Sequence, residues 1–285
     1  MWADAQRLGY RHLPDWQDGH GGPPVVAYGV QGDSVLIDDR SSAPLTVARS
    51  TLAEARARVG SFKHRLIEID PALVEIDSER IRGAVREGIA AQVDHLRQAS
   101  DSFSLPAWRK WARLTLDIRN KKGWPNVFAD RRGLVSALVS IYEDAGPPGP
   151  RAGNLRSLYA AFLEEAAVLV DNPGLADVAP RFSAAAAAWA ALIDTALPPG
   201  HRELGRLRAL IDATKDHVLA GDADAARVAA LAAERWELQT RLDRDCPLDA
   251  GEVAELLAAL HEHVTTIYEL ETKAIEALAR AGSAG

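Results

Sequence analysis

The stretch DAGEVAELLAALHEHVTTIYELETKAIEALAR, residues 249–280, decides the fold class of the chain. Apolar side chains recur in it every three or four residues, which is the spacing of one buried face of an α-helix. The members of this face are Val253, Leu257, Leu260, Val264, Ile267, Leu270 and Ile275. We therefore predict one helix over residues 249–280 that buries this face against other helices.

The same helical spacing extends back to Asp77. Asp77, Ser104 and Asn154 are expected to cap three helices, because their side-chain oxygens can accept hydrogen bonds from the free N–H groups of a first turn. Further helices are expected at about 134–142, 175–196, 201–219 and 223–243. In the helix after Asn154, the expected buried face is Leu155, Leu158, Phe162, Ala166 and Val170. Residues 75–282 are thus predicted to form an all-helical domain of seven to eight helices.

The first 70 residues carry strand signals instead. The runs PPVVAYGV and DSVLIDD are rich in β-forming residues and are separated by QG, which predicts a hairpin. Thr51 and Glu54 form a capping-box pattern before a short helix, and KHRLIEID, residues 63–70, predicts a further strand. So small a sheet cannot bury two faces, and residues 1–70 are therefore expected to be the end of a domain. The predicted fold is mainly α, with a small β-hairpin and strand at the N-terminus.

The composition excludes several classes of protein. In a chain of 285 residues, a hydrophobic content of 47% with 26% charged residues is typical of a folded globular protein. There is no apolar run of about 18 residues and no secretory signal, so we expect no membrane segment and a cytoplasmic location. The net charge of −7 disfavours a nucleic-acid binder. The single cysteine, Cys246, excludes internal disulfides, and we expect neither a metal nor another cofactor.

His20 and the carboxylates Asp38 and Asp39 are the first candidates for chemistry. His20 precedes one predicted strand and the two aspartates end the next, so the hairpin could bring a general base beside an orienting acid. The alternative is a loop histidine in GHGG and ordinary turn carboxylates. The pattern leaves both interpretations open.

Cys246 and the pair His261 and His263 are weaker candidates. Cys246 lies among acidic residues just before a helix start, and these neighbours disfavour a reactive thiolate. His261 and His263 point about 200° apart on a helix, so they cannot share a metal ion. Structural roles are therefore favoured for all three side chains.

The segment WRKWARLTLDIRNKKGWPNVFADRR, residues 108–132, is distinguished by its charge. It contains eight basic residues and two acidic ones, which gives a local charge of +6 in a chain of −7. The basic residues are Arg109, Lys110, Arg113, Arg119, Lys121, Lys122, Arg131 and Arg132. Such a concentration of charge can attract an anionic partner, such as an acidic carrier protein, a phosphopantetheine phosphate or a nucleotide. The alternative is a solvated helix face whose basic residues pair with nearby carboxylates.

Within this segment KKGWP, residues 121–125, is expected to end a helix, with Gly123 in the left-handed conformation and Pro125 beyond it. Trp124 could add an apolar contact beside the charges, or it could be a core residue at the helix end. The predicted docking residues are Arg109, Lys110, Arg113, Lys121, Lys122 and Trp124.

Several blocks of the sequence resemble the butirosin biosynthesis protein H family. They are GGPPVVAYGVQGDSVLIDDRSSAPLTV, KHRLIEID, WRKWARL with IRNKKGWPNVF, and GNLRSLYAAFLEEAA, and the resemblance covers nearly the whole chain. It implies an N-terminal papain-like fold followed by a helical domain. It also implies transfer of an aminoacyl or acyl group from an acyl carrier protein to an amine, through a cysteine thioester.

On this resemblance, residues 1–70 are the remnant of a papain-like domain whose nucleophilic cysteine lies upstream in the family. Asp39 matches the family's orienting acid in the DDR motif, and His20 lies close to the position of the family's histidine. Two functions are implied. One is an acyltransferase that is shortened or is completed in trans by a separate N-terminal subunit, and the other is a non-catalytic scaffold that docks an acidic carrier protein. The acyl donor, the acceptor and the oligomeric state stay open, and so does whether the chain is an enzyme.

Overall fold

The computed structural model describes residues 1–70, 72, 75–146 and 154–282. The chain divides into two compact units. The first consists of Met1–Val74 and Arg202–Arg241, and the second of Glu75–His201 and Leu242–Gly285. The boundary near residue 75 lies where the sequence suggests one, whereas residues 202–241 fall in the first unit rather than with the other helices.

Eleven α-helices and three β-strands are present in the described residues. The helices are α1 (Ala5–Leu8), α2 (Arg49–Arg58), α3 (Ser78–Leu96), α4 (Pro106–Leu116), α5 (Trp124–Val127), α6 (Leu134–Ala145), α7 (Arg156–Leu169), α8 (Gly174–Ala196), α9 (Arg202–Leu219), α10 (Ala225–Arg244) and α11 (Ala250–Gly282). The predicted fold, mainly α with a small β element at the N-terminus, is confirmed. Within the same described ranges, no helix combines the length and the apolar character that a membrane crossing requires.

The first unit contains a three-stranded antiparallel sheet. Its strands are β1 (Val26–Gln31), β2 (Ser34–Asp38) and β3 (Leu45–Ala48), in the order β1-β2-β3. β1 and β2 form the predicted hairpin, in which Gln31 pairs with Ser34 across a two-residue turn. Gly32 in this turn has a φ of 59°, a left-handed conformation that glycine adopts without a steric penalty.

Two predictions for the N-terminal region are wrong. α2 begins at Arg49, before the expected cap Thr51, because β3 leads directly into the helix. The third strand is β3 rather than residues 63–70. The apolar residues Leu66, Ile67 and Ile69 of that segment are 48%, 69% and 73% exposed, so no packing surface holds them in a sheet.

One face of the sheet carries the core of the first unit. Val35 and Ile37 of β2 lie opposite Val47 and Leu45 of β3, and all four side chains are buried with Leu52 of α2. They share one face because alternate residues of a strand point to the same side. The α2 helix therefore covers the apolar side of the small sheet.

The sheet of the first unit is supported by the segment between α9 and α10 and by α10 itself. The backbone N–H of Asp222 donates to the carbonyl of Pro44 at 3.1 Å, next to the start of β3. On α10, the indole N–H of Trp236 donates to the carbonyl of His12 at 3.1 Å. These bonds explain why residues 202–241 belong to the first unit, and they give the sheet the support that its size requires.

The second unit is helical. α8 packs against α6, α7 and α11, and α11 also packs against α3 and α4. Leu163, Leu175, Phe182, Ile275 and Leu278 are among the buried residues of its main core cluster. The long apolar face predicted for α11 is confirmed as buried along most of its length.

The expected helix caps have different outcomes. The side chain of Asp77 caps α3 as predicted, accepting a hydrogen bond from a backbone N–H of the first turn at 2.8 Å. Ser104 does not cap α4, because its hydroxyl oxygen faces two backbone carbonyl oxygens, of Gln98 at 2.7 Å and of Ser100 at 2.6 Å, and its single proton is directed toward them. Asn154 makes no cap for α7 either. Asn154 and Leu155 have φ values of 52° and 64°, which place both residues outside the helix.

The buried face of α7 also differs from the predicted one. Leu155 and Leu158 are 43% and 46% exposed, so the larger side chains at the start of the pattern do not face the core. The buried residues are Ala160, Leu163, Ala166, Ala167 and Val170. Periodicity favoured the bulky residues, whereas the interface with the alanine-rich α8 uses small ones that let two helices approach closely.

A buried carboxylate joins three helices of the second unit. Glu271 of α11 is 1% exposed. It accepts two hydrogen bonds from Arg156 beside the start of α7, Nε to Oε1 at 2.7 Å and Nη2 to Oε2 at 2.9 Å. The indole N–H of Trp189 on α8 donates to Oε1 at 2.7 Å. The two-pronged ion pair and the indole therefore satisfy a charge that burial would otherwise make costly.

We predict that Glu271→Gln lowers the free energy of unfolding by about 3–5 kcal/mol, because Arg156 would keep a largely buried charge without its counterion. Urea unfolding measures this change. Glu269→Gln, on the exposed face of the same helix, is the control and should change stability by less than about 0.5 kcal/mol. Equal effects of the two substitutions would contradict the role given to Glu271.

Candidate functional site

The structure does not bring His20 and Asp39 together as a hydrogen-bonded pair. His20 is exposed, and its ring lies edge-on to Trp16 with 6.4 Å between ring centroids. Asp39 is 6% exposed and accepts hydrogen bonds from the Tyr10 hydroxyl at 2.9 Å and from Arg11 Nε at 3.0 Å. Among the described residues no hydrogen bond joins His20 to Asp39. The arrangement of a general base with its orienting acid is therefore not formed.

The partners of Asp39 give it a structural role. Burial, followed by the negative charge of Asp39, raises the pKa of Tyr10, which keeps the phenol protonated as a donor at neutral pH. Arg11 forms an ion pair with the same carboxylate. A carboxylate that is bound in this way by a phenol and a guanidinium holds residues 10 and 11 beside the end of β2.

The GHGG loop around His20 is folded on another buried carboxylate. Asp4 is fully buried, and its Oδ2 accepts hydrogen bonds from the backbone N–H groups of Gly19 at 2.9 Å and Gly21 at 3.0 Å. Both glycines have positive φ, 87° and 84°. The glycines of this motif are thus explained by the turn that they make around Asp4.

The structure also places the weaker candidates, Cys246 and the two histidines of α11. Cys246 is a free, half-buried thiol. His261 donates from Nδ1 to the carbonyl of Ala112 at 2.7 Å, and His263 Nε2 lies 3.0 Å from the hydroxyl of Thr195. Within the described ranges, no group of three or more His, Cys, Asp or Glu side chains is arranged to hold a metal ion.

The basic segment 108–132 separates into paired and unpaired charges. Lys110 lies 2.9 Å from the carboxylate of Asp101, and its hydrogen bond holds the pKa of Asp101 below the usual value. Arg113 lies 2.8 Å from Asp117. Arg131 and Arg132 are also engaged, by a backbone carbonyl and by Asp130 respectively. Lys110, Arg113 and Arg132 are thus paired with carboxylates, whereas the guanidinium of Arg131 is held by a carbonyl.

Four basic residues of this segment form neither an ion pair nor a side-chain hydrogen bond within the described part of the chain, and we call them the basic surface: Arg109, Arg119, Lys121 and Lys122. All four are exposed. The guanidinium of Arg109 lies 5.9 Å from the ring centroid of Tyr268, which leaves its charge uncompensated by a carboxylate. Arg119 was absent from the predicted docking set, whereas Lys110 and Arg113, which were in it, are paired. Sequence spacing alone does not reveal pairing with Asp101, which lies outside the segment.

The loop that carries three of these residues is held by its own side chains. Asp117 Oδ1 accepts hydrogen bonds from the backbone N–H groups of Arg119 at 3.1 Å and of Asn120 at 3.2 Å. Asn120 Oδ1 accepts from the N–H of Lys122 at 2.9 Å, and Asn126 donates to the carbonyl of Asn120 at 2.9 Å. The positions of the charged residues are therefore fixed before any partner binds.

Gly123 has a different role from the predicted one. Its φ is −68°, so it does not take the left-handed conformation, and it precedes α5 as the N-cap residue. KKGWP therefore begins a short helix rather than ending one, with Pro125 in the first turn. A Cβ atom at Gly123 would lie 1.9 Å from the carbonyl oxygen of Asp117, so only glycine fits this close approach. Trp124 is half-buried and packs edge-on against Phe128 at 5.2 Å.

A groove of about 450 Å³ adjoins the basic surface. It is lined by residues of α4, the following loop and α11, namely Arg109, Ala112, Arg113, Leu116, Asp117, His261, Thr265 and Tyr268. Arg109 belongs both to the groove and to the basic surface. The groove thus combines an apolar floor with positive charge at its rim.

The protein is thus mainly α-helical, with a small antiparallel sheet and with the basic surface on its second unit. Residues 50–220 match the family described as a domain of unknown function, DUF4872, and the chain belongs to that family. The matched residues include α4, α5 and the whole basic surface. No curated protein matches the sequence.

Gly123→Ala is predicted to lower the free energy of unfolding by about 1–3 kcal/mol, and with it the melting temperature, because the added Cβ would overlap the carbonyl of Asp117. Gly88→Ala in α3 is the matched control. A Cβ at Gly88 meets nothing within 4 Å, so this substitution should be neutral or stabilising by up to about 1 kcal/mol. Thermal unfolding followed by circular dichroism compares the two, and a tolerated Gly123→Ala would show that the loop can adjust.

A further prediction concerns covalent chemistry. Incubation of the protein with an acyl thioester should give no acylated protein by mass spectrometry, because among the described residues Cys246 forms no hydrogen bond with a histidine or a carboxylate and His20 is not paired with Asp39. Cys246→Ser should behave as the wild type. An added acyl mass that Cys246→Ser abolishes would instead identify that thiol as a nucleophile.

Proposed function

We propose that the protein docks an acidic partner through the basic surface, and that this partner is an acyl carrier protein. The observation that supports the docking role is the group of exposed basic side chains without carboxylate partners, carried on a loop that is already ordered. The resemblance of the sequence to the butirosin biosynthesis protein H family supports the choice of partner. We also propose a cytoplasmic location, where such a partner would be found.

The charge distribution supports docking in a defined orientation. The chain carries a net charge of −7, so most of its surface repels an acidic protein, whereas the basic surface attracts it. Complementary charges of this kind mainly increase the association rate and suppress wrong orientations. The groove beside Arg109 would accept the phosphate-bearing arm of the carrier protein.

A second candidate function is acyl transfer completed in trans by another chain that supplies the thiol. One feature favours it. β1 is an edge strand, and its residues Val26, Tyr28 and Val30 are 59%, 53% and 54% exposed. An edge strand with exposed apolar side chains is a common surface for pairing with another chain. In this case the acyl carrier protein would still dock at the basic surface.

The docking proposal is tested by removing three positive charges at the basic surface. The triple variant Arg119→Gln, Lys121→Gln and Lys122→Gln should bind an acyl carrier protein at least about tenfold more weakly than the wild type at low salt. The control removes three exposed arginines outside the segment, with Arg80→Gln, Arg181→Gln and Arg227→Gln, and therefore has the same net charge. Surface plasmon resonance measures the association rates.

Salt provides an independent check on the same complex. Raising the ionic strength toward about 1 M, where the Debye length is about 3 Å, should weaken wild-type binding and abolish the difference between the wild type and the triple variant. If the triple variant binds like the control and with unchanged salt dependence, then the basic surface is only a solvated face and the proposal is wrong.

A further inference from the structure

A second cavity, separate from the basic surface, lies beside α3 within the second unit. Its volume is about 300 Å³, and it is partly enclosed. It is lined by residues of the α7–α8 turn, of the start of α8 and of α11, and by Arg86, Ile89, Ala90, Val93, Asp94 and Arg97 of α3 and its end. This volume is at the lower end of the range of about 300–1,000 Å³ that is typical of small-molecule pockets.

The wall formed by α3 has apolar residues in its middle and arginines at both ends. Arg86 and Arg97 are eleven residues apart, which corresponds to about three helical turns and so places both on one face. Ala90 and Val93 lie between them on the same face. The two guanidinium groups therefore lie at opposite ends of an apolar stripe.

The floor of the cavity is aliphatic. Ile89, Val93, Leu175 and Leu278 are 5%, 6%, 1% and 0% exposed, and each belongs to the core cluster of the second unit. No aromatic side chain is among the lining residues in the described ranges. Such a surface favours a flexible aliphatic chain over a flat ring system, which would be stabilised by stacking on aromatic side chains.

The two arginines at the cavity are engaged differently. Arg86 donates to the carbonyl of Val170 at 3.1 Å and so helps to satisfy the C-terminal end of α7. Arg97 is exposed, and within the described residues its side chain forms no hydrogen bond or ion pair. Asp94, one turn earlier, forms no ion pair with it either. The lining thus has two positive charges and one negative charge, and the guanidinium of Arg97 is free to bind an anion.

We propose that this cavity binds an amphipathic monocarboxylate with an unbranched aliphatic chain. The chain lies on Ala90, Val93 and Ala279, and the carboxylate forms a charge-assisted pair with Arg97 at the open end. Apolar contact and the ion pair with Arg97 both contribute to the affinity, and the guanidinium also fixes the orientation of the ligand. The site is independent of the basic surface, so its existence does not rest on the docking of a carrier protein.

Isothermal titration calorimetry of the full chain with decanoate tests the proposal. Decanoate should bind, and decanol, which has the same chain without the charge, should bind at least about tenfold more weakly. Arg97→Glu should weaken decanoate binding by at least about tenfold, because it replaces the counterion by a like charge. Its control is Arg181→Glu on α8, which changes the net charge equally and should bind decanoate as the wild type does.

A second pair of variants tests the position of the aliphatic chain. Ala90→Trp should fill the cavity and abolish binding, and because Ala90 is exposed the variant should fold normally. Ala91→Trp, on the neighbouring face of the same helix and outside the cavity, should bind as the wild type does. Circular dichroism verifies the folding of all four variants. The proposal is overturned if the wild type does not bind decanoate, if decanol binds equally well, or if Ala90→Trp and Arg97→Glu bind like their controls.

Discussion

The ion pair between Glu271 and Arg156 is the interaction on which the arrangement of the second unit depends most. A buried carboxylate tolerates few alternative environments, because any displacement that removes its donors leaves an unpaired charge in the core. Apolar contacts between α7, α8 and α11 are less directional than hydrogen bonds to a buried charge. The hydrogen bonds of Glu271 to Arg156 and to Trp189 fix one register among these three helices.

Aromatic contacts connect these helices to α4, which leads to the basic surface. Trp189, whose indole N–H is bound to Glu271, lies edge-on to Trp108 of α4 at 5.4 Å. A second link runs from α11 to α4 through the hydrogen bond of His261 to Ala112. α4 ends at Leu116, and the carboxylate of the next residue, Asp117, orders the loop that carries three of the unpaired charges. The surface through which we propose that a partner binds is thus positioned by interactions in the core rather than by the loop alone.

The sequence predicts the elements of this fold better than it predicts their contacts. The apolar face of α11, the cap at Asp77 and the first hairpin follow from local periodicity and local hydrogen bonding, and all three are present. The role of Glu271 depends on Arg156 and Trp189, which lie more than 80 positions away in the sequence. The sequence did contain one signal of it, because Glu271 is four residues from both Ile267 and Ile275 and so lies on the apolar face of its helix. The pairing of Lys110 with Asp101 and the approach of Gly123 to the carbonyl of Asp117 are likewise tertiary facts. Charge counting could therefore locate the basic segment but could not identify which of its charges are free.

The buried carboxylates are hydrogen-bonded within the protein, whereas the side chains of the basic surface are not, and this difference is relevant to function. The buried carboxylates of the described residues are Asp4, Asp39 and Glu271, and each accepts hydrogen bonds from backbone N–H groups, a phenol, an indole or a guanidinium. These hydrogen bonds stabilise the buried carboxylates as structural acceptors. The exposed cations of the basic surface have no such partners. Charges that the fold does not use are the ones available to another molecule, and for this reason we propose recognition at the basic surface.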